Sequence, residues 1–198
     1  MNDFYEYDPT NFLSSFSGEN LEIGHFNIIG KNVKIGKNVR IDNHVIIDDA
    51  VVIGDNVWIG NWTHLRPGVV IGHDSEVRDW CYISLKVQIG KNTKICQKAN
   101  IGQYIVIGDN CFISPGFSSA NTKNMQHRRK IENYTIEVPI IKDGARIGTN
   151  VTVLPGVTIG RESFIGAGAV VTKSTDPFGV YVGNPAKKIK EVPMGERL

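Results

Sequence analysis

An aliphatic residue returns at every sixth position from Ile23 to Ile113 without a break in register. The series runs Ile23, Ile29, Ile35, Ile41, Ile47, Ile53, Ile59, Leu65, Ile71, Val77, Ile83, Ile89, Ile95, Ile101, Ile107 and Ile113. Neither helix nor strand periodicity produces that interval. Two residues before these positions stand small or β-branched residues, among them Val33, Val39, Val45, Val51, Val57, Cys81, Ala99 and Cys111. A short strand that sends alternate side chains inward fits the pair, so each hexad reads as one strand and one corner.

A second regularity sets the number of corners in a turn. Ile-Gly followed by any residue and then Asn or Asp recurs at Ile35-Gly36-Lys37-Asn38, Ile53-Gly54-Asp55-Asn56, Ile71-Gly72-His73-Asp74, Ile89-Gly90-Lys91-Asn92 and Ile107-Gly108-Asp109-Asn110, always eighteen apart. Gly and Asn tolerate the left-handed backbone of a tight bend. Three hexads therefore close one coil, and the chain reads as an all-β triangular solenoid with coils about 4.8 Å apart, the spacing of hydrogen-bonded strands.

The pattern resembles the hexapeptide-repeat acyltransferases, a recognised repeat architecture. That resemblance implies a left-handed parallel β-helix assembled as a homotrimer, a hand that is an exception to the usual right-handed crossover. The expected organisation is an N-terminal cap over 1–20, a β-helix over 21–176 interrupted by a loop at 118–139, and a C-terminal tail over 177–198. Phe12, Leu13 and Phe16 are candidates for covering the open end of the solenoid. Placing Ile147-Gly148-Thr149-Asn150 in the strict Ile-Gly file makes the insertion twenty-two residues. Loops of that length in a repeat fold tend to carry function.

A formal net charge of +2, without a basic stripe interleaved with aromatics, points away from nucleic acid. The first twenty residues lack the pattern of a signal peptide, and no apolar run approaches membrane-spanning length, so a cytoplasmic protein with no membrane insertion is expected. Cys81, Cys96 and Cys111 form neither an even framework nor a metal-type pair and read as core.

The most specific motif lies near the end. Gly166-Ala167-Gly168-Ala169-Val170-Val171-Thr172-Lys173 followed by Val182-Gly183-Asn184-Pro185-Ala186 resembles the C-terminal signature of acyl-CoA-dependent members. A coil of glycine and alanine would leave backbone amides open to a pantetheine arm. Gly148, Gly166, Ala167, Thr172 and Lys173 are the candidate acetyl-CoA contacts, with Lys187 and Lys188 meeting the phosphates.

Counting by eighteen stacks His64, Tyr82 and Asn100 on one outer wall, and His44, Trp62, Trp80 and Lys98 in a second file beside it. The Trp pair reads either as a platform for a sugar or nucleobase or as a contact with a neighbouring subunit, which is favoured because aromatics are enriched at interfaces. Acyl transfer needs a group to take the acceptor's proton. His127, in the loop, is the first candidate base and His64 the second. Tyr82, Asn100, Asn121, Arg128 and Arg129 are candidate acceptor contacts, the arginines through bidentate bonds to a nucleotide diphosphate, although Arg128-Arg129-Lys130 also reads as a solvated charge run.

From Ile83 onward the chain looks most like N-acetyltransferases acting on nucleotide-linked amino-sugars for surface polysaccharide. O-acetylating relatives commonly carry a His where this chain has Asn121-Thr122, which favours an amine acceptor. An Asn that some N-acetylating members carry falls here on Leu85. The alternatives are O-acetylation of a sugar hydroxyl and a γ-carbonic-anhydrase-like metalloprotein. The five His residues show neither close pairing nor coil spacing for three zinc ligands, so no metal is expected.

Overall fold

The computed structural model describes residues 19–124 and 136–198. The strands are two residues long through the solenoid and form three parallel faces, holding ten, eight and seven strands among the described residues. The first face begins at Glu22–Ile23, the second at Ile28–Ile29 and the third at Lys34–Ile35. Glu22 pairs with Arg40, Ile28 with Ile46 and Lys34 with Val52, each one eighteen-residue coil further on. The chain is thus the all-β parallel β-helix that the six-residue interval predicts.

The corner chemistry explains the glycines and asparagines. Asn20, Asn38, Asn56, Asp74, Asn92 and Asn110 have φ between 48 and 60° and lie in one file between the third and first faces. Their side chains link the coils, with Asn38 Nδ2 donating to Asn56 Oδ1 at 3.0 Å and Asn56 Nδ2 to Asp74 Oδ1 at 2.8 Å. The preceding glycine lets successive coils approach: a Cβ on Gly72 would stand 2.6 Å from the Gly90 carbonyl carbon.

One register assignment is corrected. Ile141 pairs with Ile107 and Ile147 with Ile113, so the strict file continues through Ile141-Lys142-Asp143-Gly144 rather than Ile147-Gly148-Thr149-Asn150. Asp109 and Asp143 occupy equivalent corners 34 residues apart instead of 18, which makes the insertion sixteen residues and not twenty-two. The difference is the hexad ending in Ser118–Ser119, a strand paired with both Asn100 and Thr152. Ser119 fills an inward slot where an aliphatic residue normally signals the coil, and the fully buried Phe117 beside it supplies the missing bulk. The insertion therefore leaves the solenoid after Ser119, at the corner between the second and third faces. The expected caps Phe12, Leu13 and Phe16 lie outside the described residues.

The core is a column of Ile, Val and Leu flanked by small inward residues. Thr63, Ser75 and Thr93 are buried in those small slots, yet satisfied: the Thr93 hydroxyl donates to Gly108 O at 2.9 Å and accepts from Cys111 N at 3.0 Å. Cys81, Cys96 and Cys111 are buried free thiols, as expected. Burial pushes the Cys81 thiol up to about 12 and Cys111 to about 11.

Beyond Val170–Val171 the expected tail is partly structural. Gly179–Val182 adds to the first face beside Phe164–Ile165, and Lys187–Glu191 pairs with it antiparallel as the edge strand.

Candidate active site on the second face

The second face carries the polar wall expected from the spacing. His64 pairs with Tyr82, Tyr82 with Asn100 and Asn100 with Ser118, so their outward side chains rise in one file. Ile28 and Ile46 precede them in the same file, which confines the polar stretch to the middle of the face.

Two residues that the spacing argument did not select join this wall. Asp48 Oδ2 lies 3.1 Å from His64 Nε2 and 3.1 Å from Arg66 Nε, the latter contact being an ion pair whose angle does not make a hydrogen bond. Arg66 Nη1 donates to the Tyr82 hydroxyl at 3.3 Å, and the Tyr82 ring meets His64 edge-on at 5.6 Å. His64 and Asp48 are half-buried, with side-chain exposures of 27% and 29%. The cluster is thus shielded enough to strengthen its charges and open enough to be reached. Asp48 and Arg66 each follow an inward aliphatic residue by one position, the corner slot that Gly36, Gly54 and Gly72 fill elsewhere. That shared slot hid them.

Asn121 is used differently from the expectation. Its Nδ2 donates to Gln103 O at 3.3 Å, its carbonyl accepts from Glu137 N at 3.0 Å, and Thr122 pairs with Ile136 in an antiparallel bridge. It fastens the stem of the insertion to the coil below, so its side-chain amide is committed to the fold. His127, Arg128 and Arg129 lie outside the described residues.

The glycine-alanine coil is less open than expected. Gly148 N donates to Ile165 O, Gly166 N to Tyr181 O, Gly168 N to Thr149 O and Ala169 N to Gly166 O. Gly148 has a packing reason of its own, since a Cβ there would stand 2.6 Å from Ala167 N. Among the described residues, the N–H groups of Ala167 and Thr172 take no acceptor, so these two remain available to a pantetheine amide. Gly183–Ala186 folds back on the last strand of the second face: Val170 N donates to Gly183 O and Ala186 N to Val170 O. Lys173 and Lys187 are exposed, whereas Lys188 Nζ is held 2.7 Å from Glu191 Oε1 and 3.2 Å from Asp176 Oδ2. Those carboxylates raise its pKa and occupy the charge expected for a phosphate.

The file of His44, Trp62 and Trp80 lies at the corner between the first and second faces, opposite the corner from which the insertion leaves. The wall of His64, Tyr82 and Asn100 is therefore flanked by an aromatic edge on one side and the insertion on the other.

The chain is a three-faced prism of two-residue strands on a six-residue interval, with one polar wall on its second face. The family model described as bacterial transferase hexapeptide (six repeats) matches residues 50–84 and 139–173, on both sides of the insertion. Galactoside O-acetyltransferase of Escherichia coli K12 is 38% identical over 91 residues, 44% of each chain. A hexapeptide-repeat acetyltransferase of Vibrio cholerae, solved with acetyl coenzyme A, is 28% identical over 64% of this chain and 72% of its own, with a TM-score of 0.56. LpxA from Acinetobacter baumannii shares the fold at a TM-score of 0.75 and 19% identity, over 93% of this chain and 71% of its own. The chain spans about half the length of the curated relatives it matches, 44–56%.

Among the described residues, no group of three or more His, Cys, Asp or Glu is placed to hold a metal ion. No helix among them is long and apolar enough to cross a membrane.

Proposed function

We propose that this chain is an acetyl-CoA-dependent acetyltransferase working as a homotrimer in the cytoplasm. Its acceptor in this reading is an amino group of a nucleotide-linked sugar used for surface polysaccharide. The observation that carries the acetyl-CoA part is the likeness, at 28% identity and a TM-score of 0.56, to the Vibrio cholerae acetyltransferase solved with acetyl coenzyme A. The free Ala167 and Thr172 amides give the thioester's pantetheine arm two donors on the last coil. Lys173 and Lys187 stand beyond it for the phosphates.

On the acceptor side, Tyr82, Asn100 and Ser118 offer neutral hydrogen-bonding groups along one wall. A sugar amine in its neutral form attacks the thioester carbonyl, the proton it sheds passes to a base, and coenzyme A leaves as the thiol. His127 and His64 are the two candidates for that base.

A second reading, O-acetylation of a sugar hydroxyl, rests on a different observation. A hydroxyl needs a stronger base than a neutral amine does, and the His64–Asp48 contact is an arrangement suited to supplying one. The galactoside O-acetyltransferase likeness supports the same reading.

The test is to incubate the full chain with acetyl-CoA and paired acceptors, nucleotide-linked amino-sugars against galactosides, and to read acetylation by mass. Acetylated amine supports the first reading and acetylated hydroxyl the second. Absence of both, with no binding of acetyl-CoA, overturns the acetyltransferase assignment.

A further inference from the structure

At its C-terminal end the first face holds a cavity outside the candidate active site. Arg146 pairs with Phe164, Phe164 with Val180 and Val180 with Lys190, so these four residues occupy successive rungs of one file. Past Glu191 the chain turns back toward them. Val192 N donates to Phe178 O at 2.7 Å, and Arg197 Nε and Nη2 donate to Val192 O at 3.0 and 2.8 Å. The short 3-10 helix Met194–Glu196 then sets the Glu196 carboxylate near Arg146. A cavity of about 140 Å³ remains, its apolar part made by Phe164, Val180, Val192 and Pro193 and its charged part by Arg146, Lys190 and Glu196.

The charges at this cavity are poorly matched. Arg146 is half-buried, yet its guanidinium makes no hydrogen bond among the described residues. Glu196 Oε2 stands 3.6 Å from Nη1, too far for one, and the Phe164 ring centroid lies 5.5 Å from the guanidinium carbon. Lys190 is exposed and has no carboxylate partner among the described residues. Two cations thus share one loosely held carboxylate beside an apolar surface. The volume is close to that of an engineered apolar cavity of about 150 Å³ that takes benzene, so the space suits a single ring and is too small for a nucleotide.

We propose that this cavity binds a small carboxylate carrying one ring, the ring against Phe164, Val180 and Val192 and the carboxylate on Arg146 and Lys190. The ligand's carboxylate takes the place beside Arg146 that Glu196 holds at 3.6 Å, and a guanidinium can give it two parallel N–H donors. A neutral ring would leave both cations as they are, and a small inorganic anion would leave the apolar part unfilled. The polar wall of His64, Tyr82 and Asn100 lies on the second face and this cavity on the first, so the ligand is separate from the acetyl acceptor.

NMR titration of the full chain with benzoate, benzyl alcohol and acetate tests it, alongside Arg146→Gln, Lys190→Gln and Glu196→Gln. All three variants replace exposed or half-exposed side chains, and circular dichroism checks that the fold persists. Benzoate is expected to bind the wild type in the millimolar range, as a ligand of its size allows, with benzyl alcohol and acetate each weaker. Arg146→Gln should weaken benzoate about tenfold, the scale of one lost hydrogen bond to a charged group. Lys190→Gln should weaken it less, because an ammonium acts as a single point charge. Glu196→Gln should tighten it, since the competing carboxylate is gone.

Benzyl alcohol binding as tightly as benzoate overturns the proposal, because the cavity is then only an apolar void. Acetate binding as tightly overturns it too, because the site is then an anion patch. So does wild-type benzoate affinity in Arg146→Gln. Absence of benzoate binding in both the wild type and Glu196→Gln also overturns it, whether the cavity is closed by the chain itself or by a neighbouring subunit. Since none of these titrations requires acetyl transfer, their failure leaves the acetylation test of the preceding reading untouched.

Discussion

Asp48 and His64 face each other across adjacent coils, with the carboxylate Oδ2 3.1 Å from the imidazole Nε2. With Nε2 donating to the Asp48 carboxylate, Nδ1 is left as the lone-pair nitrogen. Arg66 Nε stands 3.1 Å from the same carboxylate oxygen.

If that pair is the base, His64→Ala should lower turnover by about a hundredfold or more with a hydroxyl acceptor. Asp48→Asn should cost less, act on kcat more than on KM, and shift the pH profile of kcat. Steady-state kinetics across pH check both. Wild-type rates in His64→Ala move the role to His127, which His127→Ala then tests, or to the acceptor amine itself.

Acetyl-CoA should stabilise the fold by mass action. At a free concentration one hundred times its Kd the gain is about 2.7 kcal/mol, read as a rise in melting temperature. An unchanged melting temperature at millimolar acetyl-CoA refutes donor binding.

Acid should loosen the prism along its first face and the neighbouring corner. Burial pushes the Glu76 carboxyl up, but the hydrogen bonds and charges of Lys94 and Arg78 outweigh it and leave its pKa lowered. Burial likewise opposes Asp79, and the side-chain and backbone N–H groups of Asn61 outweigh it. A lowered folded pKa gives stability that is present above the unfolded value and lost as pH falls through the folded one. The urea midpoint should therefore fall below pH of about 4. Glu76→Gln should flatten that fall, by at most about 1 kcal/mol because the group is partly exposed.

The thiols offer a check on the core. With Cys81 and Cys111 pushed up to about 12 and about 11, neither should react with a thiol reagent at pH 8 in the native protein, since the thiolate is the reactive form. Both should react once urea unfolds the chain. Fast native labelling of Cys81 or Cys111 contradicts their placement.

The prism was legible because its signals are local and repeated. Every inward Ile and every Asn or Asp corner states the same backbone requirement, so errors in one coil are outvoted by the rest. The reading failed where a single coil broke the rule: Ser119 replaced the expected aliphatic, and Phe117, whose bulk compensates for it, carries no periodic mark. The wall of His64, Tyr82 and Asn100 followed from counting by eighteen. Asp48 and Arg66 did not, because their contacts join corner residues on neighbouring coils through long side chains whose direction the count does not set. Along Gly166–Ala169 only the Ala167 amide stays open: the returning strand Gly179–Val182 takes Gly166 N through Tyr181, while Gly168 N goes to Thr149 and Ala169 N to Gly166, and no local signal announces a return.

The antiparallel strand Lys187–Glu191 closes the first face with three lysines and a reversed chain direction. A stack of parallel coils would otherwise offer its last rung as a template on which a second prism could be laid end to end. Turning the rung around and charging it makes this edge of the first face a poor seed for a second prism.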